Sequence, residues 1–404
     1  MPNYDLGKRD TLVITPTYPS LILADFRMYL SYLSSHKIKL TKANGYFTKK
    51  DLRAMYGPLQ EGKGEVEPHG TQTGYPILNL FYHLSIELDF IRVIRTPTTA
   101  SAMIHTEQIN RFSELTDTEQ YVTLLKAFWS EMDWGILQGE KWGKVPFIPS
   151  LFEELDECPA DETLELARYK DLNNIVKDYG HFIHYFDYFG LWKFELDEMK
   201  TNVPDKPKRT VARTITLTPF FKKVKDALSE TWSSEGDERL HQSLDLLSEL
   251  LDFPVEIKEM LNPVATQKET ESLVSMLRPM FPTGELETVI EKNAPEFVSG
   301  TYHFKVKMSS AGAEYLHLSS TQTLLDLHHS IQRAFGLFED HLYAFYMDGK
   351  KFGKNAYHSP LDFQGPYVDE VKIGELCLHK GQSFLYLYDF GDEWEYYIQV
   401  VEGP

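Results

Sequence analysis

Cysteine is nearly absent: the 404 residues hold two, Cys158 and Cys377, far apart and without CxxC spacing. That argues against a disulfide framework and a cysteine zinc site, and a reducing cytoplasm is the expected compartment. Long apolar runs are missing as well. Charge interrupts the best candidates, residues 20–33 and 81–94, so neither supplies the roughly 20 apolar residues that span a bilayer. No membrane association is expected. The opening MPNYDLGKRD lacks the basic and apolar regions of a signal peptide. Positive charge is in short supply, and a net charge of −19 argues against generalised binding to phosphate backbones. Sequence signatures of catalysis are missing too. There is no G-x-S-x-G and no HExxH, and the glycines of EGKGEVEPHG neither fit GxxxxGK[ST] nor follow a strand. No cofactor and no metal are expected.

What is present describes a globular chain, 42% hydrophobic and 13% aromatic, and too long for one ordinary core. From Pro19 to Ser34, apolar residues recur every three or four positions (Ile22, Phe26, Tyr29, Leu30, Leu33), which predicts a helix with one buried face. Thr48 can cap a short helix through Leu52 and Met55, and a further helix is predicted from Pro76 to about Leu88. Phe90–Arg95 and Ala102–His105 read as two strands across TPTTAS, with helix resuming from Phe112. The order is that of a winged helix, and it recurs. A helical stretch over Leu164–Tyr179 leads to HFIHYFDYFG, the strand LWKFELDE, a basic loop, the strand TVARTITL and a helix over Pro219–Leu228. Both second strands pass through a threonine, Thr106 or Thr218, into a helix, as an N-cap would. His181 and His184 have metal-like spacing but no third ligand, so core packing is the preferred reading. From Lys200 to Asp226, eight basic residues stand against two acidic ones, a local excess of +6. Lys206, Lys208, Arg209 and Arg213 are therefore the nucleic-acid-binding candidates.

The expected fold class is multidomain α+β: a mostly helical N-terminal region with winged-helix-like units, and a C-terminal domain of mixed β-sheet plus helix, similar to a β-grasp. Residues 1–135 form the first unit and 136–232 the second. Residues 233–296, acidic and broken by prolines, form a helical connecting layer whose leucines need burial. Residues 297–404 form the last domain. There the period becomes that of a strand, Tyr302, Phe304, Val306 and Met308 alternating with His303, Lys305 and Lys307. After the short strand YLHL, Thr323 caps a helix, LLDLHHSIQRAFG, ending on Gly336. LYAFYMDGKKFG reads as a hairpin with Asp-Gly as its turn signal, and SFLYLYDF and WEYYIQVVE flank Gly391-Asp392.

The run FKVKM, TLLDLHHSIQRAFG, HLYAFYMDG and FLYLYDFGDEWEYYIQV resembles the plasmid pRiA4b ORF-3-like family over about a quarter of the chain. The resemblance implies a fold and a bacterial origin associated with mobile DNA, some members being passengers of insertion elements. It implies no activity. Many members continue into a Pro-, Asp- and Gly-rich tail, so no role of that tail is carried over.

Within this domain His328, His341, Asp389 and Asp392 are the candidates for an acid/base site. The preferred reading is that the two aspartates fix a turn by accepting backbone N–H bonds. In that reading His328 is a half-buried core residue and Trp394 a core anchor. A third reading makes Tyr343, Tyr346, Tyr386, Tyr388 and Trp394 an exposed groove for a peptide or a stacked base. The functional expectation is a bacterial interaction or regulatory protein, without catalysis, binding a protein or DNA partner, its C-terminal domain serving recognition or homodimerisation. The alternative is a hydrolase or nuclease.

Overall fold

The computed structural model describes residues 11–61, 70–132, 134–138, 151–152, 154–155, 158, 160–169, 172–173, 180–197, 211–232, 272–292, 297–308, 312–337, 341–353, 355–362 and 365–404. The chain divides into two compact units. One comprises Met1–His36, Lys49–Phe90 and His105–Glu291; the other comprises Lys37–Thr48, Ile91–Ile104 and Lys292–Pro404. It is a multidomain α+β protein.

The first unit is mainly helical. Its helices are α1 (Ile22–Ser35), α2 (Lys49–Tyr56), α3 (Pro76–Glu87), α4 (Thr106–Glu114), α5 (Asp117–Lys126), α6 (Gly180–Tyr188) and α7 over 219–232. The predicted stripe of α1 is buried, Ile22 and Phe26 completely. Helix α5 starts on a capping box in which Thr116 Oγ1 accepts from Glu119 N–H at 3.1 Å and Glu119 Oε2 accepts from Thr116 N–H at 3.0 Å. Aromatic rings fill the core. Phe128 stacks on Phe189 with centroids 4.9 Å apart, and the Trp129 indole donates to Leu228 O at 3.0 Å. Of the expected connecting layer, residues 233–271 lie outside the described residues; a short helix, Leu273–Leu277, follows, capped by Ser272.

Two three-stranded antiparallel sheets share one topology. In the second unit, β1 (Lys39–Leu40), β2 (Ile91–Arg95) and β3 (Ala100–Ile104) lie in the order β1-β3-β2. In the first unit, β4 (Thr163–Glu165), β5 (Trp192–Leu196) and β6 (Ala212–Leu217) lie in the order β4-β6-β5. The bonds at the base of each hairpin correspond. Phe90 N–H donates to Ser85 O at 2.8 Å and Phe90 O accepts from His105 N–H at 2.9 Å. Leu191 N–H donates to Phe186 O at 2.8 Å and Leu191 O accepts from Thr218 N–H at 3.2 Å. The residue before each is left-handed, Asp89 at φ 55° and Gly190 at φ 69°. Glycine is required at the second, because a Cβ there would lie 2.8 Å from the Pro19 carbonyl oxygen.

Two expectations in this region are corrected. Residues 163–165 are a strand, not the start of a helix; the apolar positions of Leu164 and Leu166 fit either period over so short a span. Thr218 caps its helix, its Oγ1 accepting from Phe221 N–H at 3.1 Å, but Thr106 is already helical and His105 holds the cap position.

The rest of the second unit is a six-stranded sheet with one long helix. Its elements are β7 (Thr301–Met308), β8 (Ala313–Ser319), α8 (Leu324–Phe335), β9 (Tyr343–Tyr346), β10 (Ala356–His358), β11 (Ser383–Tyr388) and β12 (Trp394–Glu402), with strand order β10-β9-β11-β12-β7-β8. Every ladder is antiparallel, which corrects the expected mixed sheet. The consecutive strands β7 and β8, β9 and β10, and β11 and β12 pair with each other. Helix α8 has the predicted ends, a capping box from Thr323 and Asp326 and a left-handed Gly336 at φ 68°. Its stripe of Leu324, Leu327, His328 and Ile331 packs on Tyr302, Phe304, Val306, Phe345, Tyr386 and Ile398. The β9–β10 hairpin closes over residues 347–355 rather than on a two-residue Asp-Gly turn. Asp348 accepts from Lys350 N–H at 3.0 Å inside that loop. Lys350 Nζ donates to Asn44 O at 3.2 Å, tying the loop to the segment beside β1.

Candidate functional site

The DFGDEW turn is built from one aspartate. Strands β11 and β12 end at the pair Tyr388↔Trp394, and the connection turns through two left-handed residues, Asp389 at φ 58° and Glu393 at φ 55°. Aspartate tolerates that region because its short side chain bonds the local backbone. Asp389 Oδ1 accepts from Gly391 N–H at 2.9 Å and Asp392 N–H at 3.3 Å, and Asp389 O accepts from Glu393 N–H at 2.6 Å. Its other carboxylate oxygen, Oδ2, lies 3.3 Å from His341 Nδ1. The Gly391 bond first, then the Asp392 bond and the nearby His341, hold this carboxyl below the usual carboxylate range.

The sequence candidates thus separate into two groups. His341 and Asp389 meet at the surface, with the His341 ring edge-on to Tyr388 at 5.5 Å. Asp392 is exposed and supplies its N–H to the turn. His328 lies in the core instead, stacked on Tyr343 with centroids 3.6 Å apart and planes within 4°. Its Nδ1 is 2.7 Å from the Tyr386 hydroxyl. Burial chiefly, and the neighbouring His329, push the His328 imidazole down to about 3. Burial also raises the Tyr386 phenol well above its ordinary range. The two are therefore a neutral hydrogen-bonded pair at pH 7. Among the described residues, no group of three His, Cys, Asp or Glu side chains is placed to hold a metal ion.

Two expectations about aromatics are corrected. Trp394 is not a core anchor, being 39% exposed. Nor do the tyrosines form an open groove. Tyr343, Tyr346, Tyr386 and Tyr388 are all buried, because β9 and β11 are covered on both faces. Among the open aromatic rings are Tyr315 on β8 at 59% exposure and Tyr397 on β12 at 49%. Their alternation with Leu316 and Tyr396 was the available signal, since residues flanking an inward one point outward.

Of the basic candidates, Lys206, Lys208 and Arg209 lie outside the described residues. Arg213, on β6, pairs with Glu195 at 2.5 Å across the β5–β6 ladder, both exposed. His184 is buried edge-on to Phe194 at 5.2 Å, as core packing requires; the side chain of His181 lies outside the described residues. No sequence motif announced a cluster in the first unit. There Lys193 Nζ reaches Asp187 Oδ1 at 2.5 Å and Glu61 Oε1 at 3.2 Å. The buried Asp25 accepts from Gln60 N–H at 2.9 Å and Glu61 N–H at 2.7 Å. Burial raises Glu61 above the usual range, against the pull of Lys193. These groups come from segments far apart in the chain, which explains why no spacing revealed them.

An antiparallel sheet carrying one helix and an aspartate-built DFGDEW turn is the class of domain these residues define. Residues 301–403 match the family described as plasmid pRiA4b ORF-3-like protein. A crystal structure of a protein of unknown function from Methanosarcina mazei Go1 aligns at 24% identity, with a TM-score of 0.22. That alignment covers 26% of this chain and 61% of that chain, less than two thirds of its length. No curated protein matches the chain. Among the described residues, no helix is long and apolar enough to cross a membrane.

Proposed function

We propose that this is an interaction protein without catalytic activity, in which two winged-helix-like units engage a DNA or protein partner. The observation that carries the reading is the duplicated arrangement of helix, hairpin and helix, with sheet orders β1-β3-β2 and β4-β6-β5 and matching bonds at each hairpin base. In this reading residues 1–135 and 136–232 are the two units, 233–296 connect them to the last domain, and Lys206, Lys208, Arg209 and Arg213 face nucleic acid. The C-terminal domain, akin to insertion-element passenger proteins, serves recognition or dimerisation. The alternative of a hydrolase finds less support. Asp389 already holds two backbone N–H groups, and the His328 imidazole is bonded to a buried phenol.

The test is affinity capture of the full chain from its native host, with half of the lysate treated with nuclease, repeated with Lys206, Lys208 and Arg209 reversed to Glu. A co-purifying nucleic acid lost on nuclease treatment and on charge reversal supports the DNA form, and a nuclease-resistant stoichiometric protein supports the protein form. Hydrolysis of nucleic acid by the purified protein, abolished in His341→Gln, would overturn the reading.

A further inference from the structure

The outer face of the six-stranded sheet, opposite α8, is divided. Over β10, β9 and β11 it is apolar and buried, with Ala344, Tyr346, Ala356, Leu385 and Leu387. Over β12, β7 and β8 it is open. Strand β7 runs down the middle and presents His303, Lys305 and Lys307, which alternate with the buried Tyr302, Phe304 and Val306. On one side, Tyr315 of β8 stands opposite Lys305; on the other, Tyr397 of β12 stands opposite Lys307.

Tyr315 and Tyr397 are 59% and 49% exposed. They sit two strands apart and two residues out of step, a separation of roughly 12 Å from strand spacing and rise. Two lysines, Lys305 and Lys307, lie between them. Neither is ion-paired with a described residue, and Lys305 Nζ lies 5.9 Å from the centroid of the Tyr315 ring. Two carboxylates of β12 have other partners. Glu395 accepts from the Tyr397 hydroxyl at 2.7 Å and pairs with Lys351 at 3.0 Å, and Glu402 lies 3.9 Å from His303.

We propose that this open face, formed by Tyr315, Tyr397, Lys305 and Lys307, is a stacking platform for single-stranded nucleic acid. Resting on the interaction reading above, the proposal names a partner class and a second surface for it. Bases stack on the two rings, and the phosphate backbone crosses β7 over the lysines. Every base offers a π-face and every nucleotide a phosphate, so the platform binds without strong sequence preference. A duplex, whose bases are stacked inside, offers the rings nothing.

The experiment is fluorescence anisotropy on the full chain at low salt, with labelled oligo-dT and oligo-U of about a dozen nucleotides and a duplex of the same length. The expected result is binding of either single strand in preference to duplex. Tyr315→Ala with Tyr397→Ala should weaken it at least tenfold, while Tyr315→Phe with Tyr397→Phe, which keeps the rings, should change it less than twofold. Lys305→Glu with Lys307→Glu should weaken it and flatten its salt dependence by a slope of about 1–2. All four side chains project from the sheet, so unchanged circular dichroism and melting should accompany each variant. Single-strand binding indifferent to loss of the rings overturns the platform. So does binding confined to duplex, or capture of a protein partner that the Tyr→Ala pair abolishes while nucleic acid does not bind. In the duplex case the interaction reading survives without the platform; a chain that binds no nucleic acid and captures no protein sinks both.

Discussion

At the residue scale, His328 is the side chain whose environment makes the firmest demand. It is buried and neutral in the folded chain, its imidazole pushed down to about 3, whereas in the unfolded chain it takes up a proton near pH 6.5. Between those values the unfolded state binds the extra proton, so stability is full above about pH 6.5 and falls as pH drops toward 3. The slope from this group approaches about 1.4 kcal/mol per pH unit. His83, pushed to about 4 by burial, adds a second proton on the other unit. His328→Phe should keep the stack on Tyr343 but orphan the Tyr386 hydroxyl, costing about 1–3 kcal/mol at pH 7. It should also remove one proton from the acid limb. Urea unfolding of wild type and variant from pH 7 to 4 checks both, and an unchanged acid slope would refute the assigned burial. Adjacent residues on a helix point about 100° apart, and accordingly His328 is buried while His329 is exposed. The sequence could not name Tyr386 as the partner, 58 positions away. Trp394 shows the opposite error: a large ring beside a turn invites burial, but it terminates a strand pair and is 39% exposed.

At the element scale, what local chemistry controls was legible and what pairing controls was not. Helix α8 was readable at both ends because a capping threonine and a left-handed glycine are themselves the physical stops. Thr323→Ala removes the acceptor of the Asp326 N–H, 3.3 Å away, and should cost about 1 kcal/mol. Thr323→Ser should retain most of it, and thermal melting of the three proteins decides. Strand β4 was misread because three residues carry too little periodicity, and its state is fixed by pairing with Thr214–Thr216 of β6. The antiparallel sense of the six-stranded sheet was equally hidden, because β7 and β12 meet from opposite ends of the domain. The two helix–hairpin repeats fared better, since the aromatic helix end and the alternation after it are local. Their alignment was displaced by one at the second helix, where His105 rather than Thr106 corresponds to Thr218.

At the scale of the whole molecule, sequence proximity and cooperative grouping part company. The β2–β3 hairpin lies between helices of the first unit in the chain, yet residues 37–48 and 91–104 group with the C-terminal sheet. Ties such as Lys350 Nζ to Asn44 O and the charge of Arg95 beside Asp348 link them. Segments that share contacts should open together as one cooperative unit. Leu387→Ala, at a fully buried position on β11, should cost about 2–5 kcal/mol. Under native conditions it should therefore accelerate amide exchange in β7–β12 and in β2 and β3 by similar factors, while α1 and α5 keep their protection. Exchange measured by mass spectrometry at peptide resolution distinguishes the groupings. If β2 and β3 instead stay protected alongside α1 and α5 when the C-terminal sheet loosens, the hairpin belongs energetically to the helices that flank it in sequence. The hairpin and those helices would then form one folding unit.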